Sequence, residues 1–177
     1  RLNTGAAYIF EFNDDAWEEV AKLTASDTYI GQNFANGAAL LGDTALLGAY
    51  FHDDEGVANI GAAYVFEKVD DQWQETAKLT PSDAGANDRF GVGLALSDNT
   101  IVVGASRPNN KPGAAYVFER VDGQWSERAK LSPSTGSIND YFGISVAIEE
   151  ETIAISARTD DQAGTNSGAV YVFSQVD

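Results

Sequence analysis

One seven-residue string, Gly-Ala-Ala-Tyr-Val-Phe-Glu, occurs at 61–67 and again at 113–119, with close variants starting at Gly5 and Gly168. Such self-similarity constrains a fold more than composition does, because each copy must form the same supersecondary unit and bury its apolar face against the next. Tyr8, Tyr64, Tyr116 and Tyr171 mark steps of 56, 52 and 55 residues. Trp17, Trp73 and Trp125 keep step with them, as do Lys22, Lys78 and Lys130, and Phe34, Phe90 and Phe142. The unequal steps have one source. From Ala49 to Gly61 is 12 residues, from Ala105 to Gly113 is 8 and from Ala157 to Gly168 is 11, which leaves a constant frame of 44. All length variation falls in one loop, as expected where stacked strands cannot absorb insertions and one face of the array carries them.

Each frame reads as four strands. Phe90, Val92, Leu94 and Leu96 alternate with Gly91, Gly93 and Ala95, giving one bulky side and one small side suited to close approach of neighbouring backbones. Residues 100–105 are rich in β-branched side chains and 114–119 are apolar on both faces, the patterns of buried strands. A fourth strand at 125–131 puts Trp125, Glu127, Ala129 and Leu131 on one side and Ser126, Arg128 and Lys130 on the other. That pattern predicts a half-exposed outer strand whose basic residues resist pairing with another chain. Asp14-Asp15, Asp70-Asp71 and Asp122-Gly123 stand where hairpins turn. No segment keeps a 3.6-residue apolar period, so the expected class is all-β: a β-propeller of four-stranded antiparallel blades, with a β-solenoid open by period alone.

The chain carries 27 acidic and 11 basic residues, a net charge of -16, and its field repels phosphate backbones. Nucleic acid is therefore not an expected partner. No apolar run approaches the ~20 residues that span a bilayer, so membrane insertion is not expected either. Without cysteine there is no disulfide or thiolate site, and His52 is the single histidine, too few for a His-based metal cluster or a repeated acid–base dyad. The sequence also lacks a Gly-x-Ser-x-Gly elbow, and the expectation is a chain that is not an enzyme.

With these anchors in place the chain resembles the FG-GAP repeat family, the blade type of integrin α-subunit propellers. Phe90-Gly91 and Phe142-Gly143 match the FG element, and Gly48-Ala49 and Gly104-Ala105 match the start of GAP. Phe34 is followed by Ala35, Ser156-Ala157 replaces Gly-Ala, and the proline of GAP is replaced by Tyr50, Ser106 and Arg158. The resemblance implies one propeller segment over 1–177: a partial blade 1–23, blades 34–79 and 90–131, and a partial blade 142–174. That is about three and a quarter blades, short of the roughly four to eight of a closed ring, so the ring is expected to need a longer chain or self-association. Integrin-like blades carry an Asp-x-Asp-x-Asp-Gly calcium loop between strands one and two. The corresponding turns here are Gly42-Asp43, Ser97-Asp98-Asn99 and Glu149-Glu150-Glu151, so that site does not transfer.

Antiparallel strands reverse direction, so the loops after strands two and four share one face, and this face carries the candidates. Tyr50, Phe51, His52, Arg107, Asn109 and Asn110 in the variable loops are candidate contacts to a protein or glycan ligand. Asp53, Asp54 and Glu55 with Asp160 and Asp161 are candidate calcium ligands, the alternative being solvated turns in which Asp bonds its own backbone. Asp83, Asp88 and Asp140 are expected to organise the crossover between blades. Tyr64, Trp73, Phe90, Tyr116, Trp125 and Phe142 read as structural anchors, the tryptophans by packing between blades. The resemblance implies a secreted or cell-surface adhesion or ligand-binding module. A structural ring or fibre and an accessory propeller of a larger secreted enzyme are the alternatives.

Overall fold

A computed structural model describes residues 4–54, 56–106 and 112–174, and it places no helix in them. The first sheet pairs β1 (Ala7–Asn13) with β2 (Ala16–Leu23). The second runs in order through β3 (Ala38–Leu41), β4 (Thr44–Ala49), β5 (Ala62–Val69) and β6 (Gln72–Leu79). The third repeats this as β7 (Phe90–Ser97), β8 (Thr100–Ala105), β9 (Ala114–Val121) and β10 (Gln124–Leu131). The fourth holds β11 (Phe142–Glu149), β12 (Thr152–Ala157) and β13 (Ala169–Ser174). Within each sheet every strand pairing is between sequence neighbours and antiparallel, as in propeller blades, and the sheets are not closed into a ring.

The hairpins between β1 and β2, β5 and β6, and β9 and β10 turn on two left-handed residues each. Asp14 and Asp15 have φ of 44° and 70°, Asp70 and Asp71 of 49° and 59°, and Asp122 and Gly123 of 51° and 80°. These are the φ signs of a type I′ turn, whose twist matches that of the strands it joins, and Asp and Gly tolerate them best.

Successive sheets meet backbone to backbone. The Phe90 N–H donates to the carbonyl of Ile60 at 2.9 Å and the Phe142 N–H to that of Pro112 at 2.8 Å, making parallel bridges Gly61↔Phe90 and Gly113↔Phe142 between sheets. A Cβ on Gly104 would lie 1.8 Å from the Gly143 carbonyl oxygen, and one on Gly48 would lie 2.1 Å from that of Gly91. The FG glycine of one sheet thus presses on the GA glycine of the sheet before it. Where Gly91 and Gly143 stand with φ of 94° and 89°, the second sheet has Ala35 at 61°, and its first strand forms only from Ala38.

Three apolar clusters fill the junctions. Each sets the aromatic face of a later sheet on the small-residue face of an earlier one: Phe34, Tyr64 and Phe66 over Ala7, Ile9 and Ala21; Phe90, Tyr116 and Phe118 over Ala63, Val65 and Ala77; Phe142, Tyr171 and Phe173 over Ala115, Val117 and Ala129. The phenylalanine opening each frame meets its tyrosine edge-on, with centroids 5.5, 5.5 and 5.4 Å apart. Each side chain of this size, fully buried, contributes about 1.5–3 kcal/mol. Above the clusters runs a charge ladder: Lys68 donates to Glu11 at 2.8 Å and Arg120 to Glu67 at 2.5 and 3.3 Å, each a base on one sheet and an acid on the sheet before.

The fourth strands correct one expectation. Simple alternation put Trp125, Glu127, Ala129 and Leu131 on one side. A bulge between Glu127 and Ala129 leaves Arg128 as the extra residue, and the faces exchange there. Trp125 and Glu127 lie on the face of Tyr116 and Phe118, whereas Ala129 and Leu131 face the fourth sheet. Lys130 moves to the Tyr116 side, opposite that residue, and its task is inward rather than at the edge. β2 and β6 carry the same bulge.

Glycine contacts at the junctions predict a stability difference. Gly104→Ala is expected to cost about 3 kcal/mol or more by forcing two backbones apart. Gly56→Ala, where φ is 83° and no atom lies within 4 Å of the new Cβ, is expected to cost only the left-handed backbone penalty of about 1 kcal/mol. Urea unfolding of the two variants measures both.

Candidate functional site

The loops after β4 and β12 meet the crossovers between sheets, and each meeting is organised by the phenol of a third-strand tyrosine. The Tyr64 hydroxyl donates to Asp27 Oδ1 at 2.6 Å, and Lys78 Nζ donates to Asp27 Oδ2 at 2.7 Å. In the next sheet the Tyr116 hydroxyl donates to Asp83 Oδ1 at 2.6 Å and Lys130 to Asp83 Oδ2. The bulge in β6 and β10 brings the lysine to this side. In the fourth sheet Thr135 stands where Asp27 and Asp83 stand, and the carboxylate comes from the other loop. Asp160 accepts from the Tyr171 hydroxyl at 2.7 Å, and Gln162 joins both while donating to Thr135 Oγ1. The acid has moved from one loop to another, yet the tyrosine keeps it.

His52 occupies the position in its loop that Asp160 holds in the fourth sheet, and it is 3% exposed. Lys78 donates to its Nε2 at 2.8 Å, which sets the proton on Nδ1, 3.3 Å from the Tyr64 oxygen. The Tyr29 ring lies 5.5 Å from the imidazole. Burial first, and then the Lys78 ammonium, hold His52 below its usual value near 6.5 against the opposing pull of Asp27, Asp53 and Asp54. Burial pushes the Asp27 carboxyl up, but the hydrogen bonds from Lys78 and Tyr64 outweigh it and leave the group below its usual value near 3.8. Burial and Asp27 together push the Tyr64 phenol far up.

The other sequence candidates fall as follows. Tyr50 and Phe51 are half-buried with rings 4.4 Å apart. Asn33 Nδ2 donates to the Tyr50 hydroxyl at 3.3 Å, and the Arg89 guanidinium lies 5.3 Å from the Phe51 ring. Asp53 Oδ1 accepts the Asn59 N–H at 2.7 Å, and Asp161 Oδ1 accepts that of Asn166 at 2.6 Å. Asp54 closes a tight turn with Val57 through two backbone bonds. Asp160 is 1% exposed and held below its usual value mainly by the Tyr171 hydroxyl. Asp53 and Asp54 serve the second sheet's loop and Asp160 and Asp161 the fourth's, so the structure does not bring them together. Among the described residues no group of three or more His, Asp or Glu is placed to hold a metal ion. Glu55, Arg107, Asn109 and Asn110 lie outside the described residues. Asp88 and Asp140 cap the N–H groups of Gly85 and Ser137 within their crossovers, at 2.9 and 2.6 Å.

Three residues of this face escape simple sequence reading. Asn33, Arg89 and Tyr141 each precede the frame's phenylalanine with φ of 52°, 56° and 54°. Each meets a residue of a variable loop: Asn33 meets Tyr50, Arg89 meets Phe51, and Tyr141 lies under the Arg158 guanidinium at 4.4 Å. The available signal is a position that changes type in every copy beside an anchor that never changes.

An open cavity of about 320 Å³ lies between the third and fourth sheets, walled by Val117, Ala129, Leu131, Ile148, Ile153 and Phe173 among others. Its apolar walls are frame core positions. One junction earlier Trp125 packs into the corresponding cluster, so the cavity is a packing space of the repeat.

A family model described as FG-GAP repeat matches residues 17–66, 73–118 and 125–173. The chain belongs to the FG-GAP repeat family. Each matched segment begins at the frame's tryptophan, on the fourth strand of one sheet, and ends in the third strand of the next, so the FG-GAP unit straddles a junction rather than coinciding with a sheet. No curated protein matches the chain significantly.

The position of His52 sets a pH dependence. In the unfolded chain it takes up a proton near 6.5, while the folded network holds it neutral to lower pH, so stability is full above that value and falls as pH drops below it. The contribution of Asp27 is lost further down, below its unfolded value near 3.8. Melting temperature is expected to decline between about pH 7 and pH 5, and His52→Gln to flatten that part of the profile. A profile of the same shape in both proteins excludes His52 as its source.

Proposed function

We propose that this chain is a non-catalytic ligand-binding module, of the secreted or cell-surface adhesion kind, that recognises a protein or glycan through the loop face. The observation that carries this reading is the set of three varying contacts, Asn33 with Tyr50, Arg89 with Phe51 and Tyr141 with Arg158. On a frame that otherwise repeats, these positions hold aromatic and guanidinium groups, which anchor interfaces at low cost in conformational entropy. The left-handed backbone at Asn33, Arg89 and Tyr141, one hydrogen bond and two guanidinium–ring contacts hold these groups in place before a ligand arrives, and preorganisation of this kind favours affinity.

A binding role also accords with the titratable groups nearby. His52 is committed to Lys78 and Tyr64, the carboxylates of Asp53 and Asp161 to N–H donors of their own loops, and that of Asp160 to the Gln162 N–H and the Tyr171 hydroxyl of β13. The reading needs no calcium, and a chelator is expected to leave the melting temperature unchanged; a fall on chelation, reversed by calcium, would show that a cation holds these loops.

A glycan array and a pull-down with the chain identify the ligand. Phe51→Ala and Arg158→Ala are each expected to weaken capture roughly tenfold or more, a loss of about 1.4 kcal/mol or above, with melting little changed. Undiminished binding by both variants moves recognition off this face.

A further inference from the structure

We propose that Asn36 is a self-modification site: the Gly37 backbone nitrogen closes on its carboxamide, ammonia leaves, and water opens the resulting ring to an acid. This does not rest on the loop-face reading.

Asn36-Gly37 is the one Asn-Gly pair in the sequence. A glycine after the asparagine leaves the attacking nitrogen without a Cβ beside it. The counterparts of this pair are Val92-Gly93 and Ile144-Ser145, neither of which has an amide to attack. The fourth sheet shows where the second N–H of the pair is directed, for the Ser145 N–H donates to the Ser156 hydroxyl at 3.2 Å. Ser145 and Ser156 correspond to Gly37 and Gly48 of the second sheet. Gly48 has no hydroxyl to offer, and the Gly37 N–H finds no acceptor among the described residues.

In place of that hydroxyl stands the Asn36 side chain. Its Oδ1 lies 3.1 Å from the point where a Cβ on Gly48 would be. The carboxamide thus occupies the ground toward which the Gly37 nitrogen is turned, and such closeness replaces an encounter by a unimolecular step. Oδ1 also accepts the Tyr50 N–H at 3.4 Å. This donor is placed to stabilise the charge that Oδ1 gains as the nitrogen attacks. The position is open to water within the array, since its counterpart Val92 is only half-buried with a sheet packed on either side.

In the first step the bond from Gly37 N to Asn36 Cγ forms and the bond from Cγ to Nδ2 breaks. The proton lost from the Gly37 nitrogen is balanced by one taken up by the departing nitrogen, which leaves as ammonia. Water then adds to one of the two ring carbonyls. Opening at Cγ gives an aspartate in an ordinary main chain. Opening at the main-chain carbonyl gives an isoaspartate, with one more atom in the chain just before Gly37, whose carbonyl accepts the Gly48 N–H at 3.0 Å. Both products add a negative charge beside Tyr50, and the second also loosens the start of β3 from β4.

Peptide mass spectrometry of the folded chain, held for days at mildly alkaline pH in heavy-oxygen water, tests the proposal. Asn36 is expected to become a labelled acid, with isoaspartate in the mixture, at least as fast as in a synthetic peptide spanning 30–42. Asn33, Asn59 and Asn87, which precede Phe, Ile and Asp, are expected to keep their amides. In Gly37→Ala the new Cβ meets only ordinary contacts at 3.5 and 3.8 Å, so melting is expected to be unchanged. Crowding at its nitrogen is expected to slow conversion roughly tenfold or more. An Asn36 amide that survives while the peptide converts, an undiminished rate in Gly37→Ala, or label spread evenly over the asparagines overturns the proposal.

Discussion

The structure depends on a contact between glycines. Where the Phe–Gly crossing of one sheet meets the Gly–Ala segment of the sheet before it, the backbones are closer than any side chain permits. That closeness lets the Phe90 and Phe142 N–H groups bond across the junction and seats their rings edge-on to Tyr116 and Tyr171. The rings fill the clusters, and the tyrosine hydroxyls at their margin hold the acids that organise the loops. A wider junction would open the apolar seam and misplace the polar network together, because both are built on the same strands.

The fold was legible because its main signals are local and repeat. A constant frame with one variable loop, alternating side chains, and Asp and Gly at the turns all point to four-stranded antiparallel sheets. The fourth strand misled for a physical reason: alternation assumes two residues per pleat, and one extra residue at Arg128 exchanges the faces beyond it. Lys130 read as a guard of the edge when it is a partner of Asp83. Nothing in the local composition of 124–131 announces a bulge; the cue is the need for an ammonium beside each buried phenol.

The loop face was legible in outline and not in its contacts. Tyr50 and Phe51 stand out as interruptions of the repeat, but their partners Asn33 and Arg89 lie in segments of another frame position. His52 reads as a loop residue and candidate ligand contact, since its neighbours in sequence are acidic, while its neighbours in space are Lys78, Tyr64 and Tyr29. The passage of the carboxylate from the crossover, as Asp27 and Asp83, to the other loop, as Asp160, shows the same thing. Buried phenols require an acceptor, and the fold leaves two loops free to supply it.

The offset between the family unit and the sheet bears on how the molecule gains its stability. A segment such as 73–118 contributes its first strand to one sheet and the rest to the next, so no unit can form a complete sheet unless its neighbour is folded. Cooperativity along the chain is thereby written into the connectivity itself, in addition to the nearest-neighbour coupling common to repeat proteins. The second and third sheets are each tied to a neighbour on both sides. Local opening therefore proceeds by halves of two adjoining sheets, so that the element that opens is a seam rather than a blade.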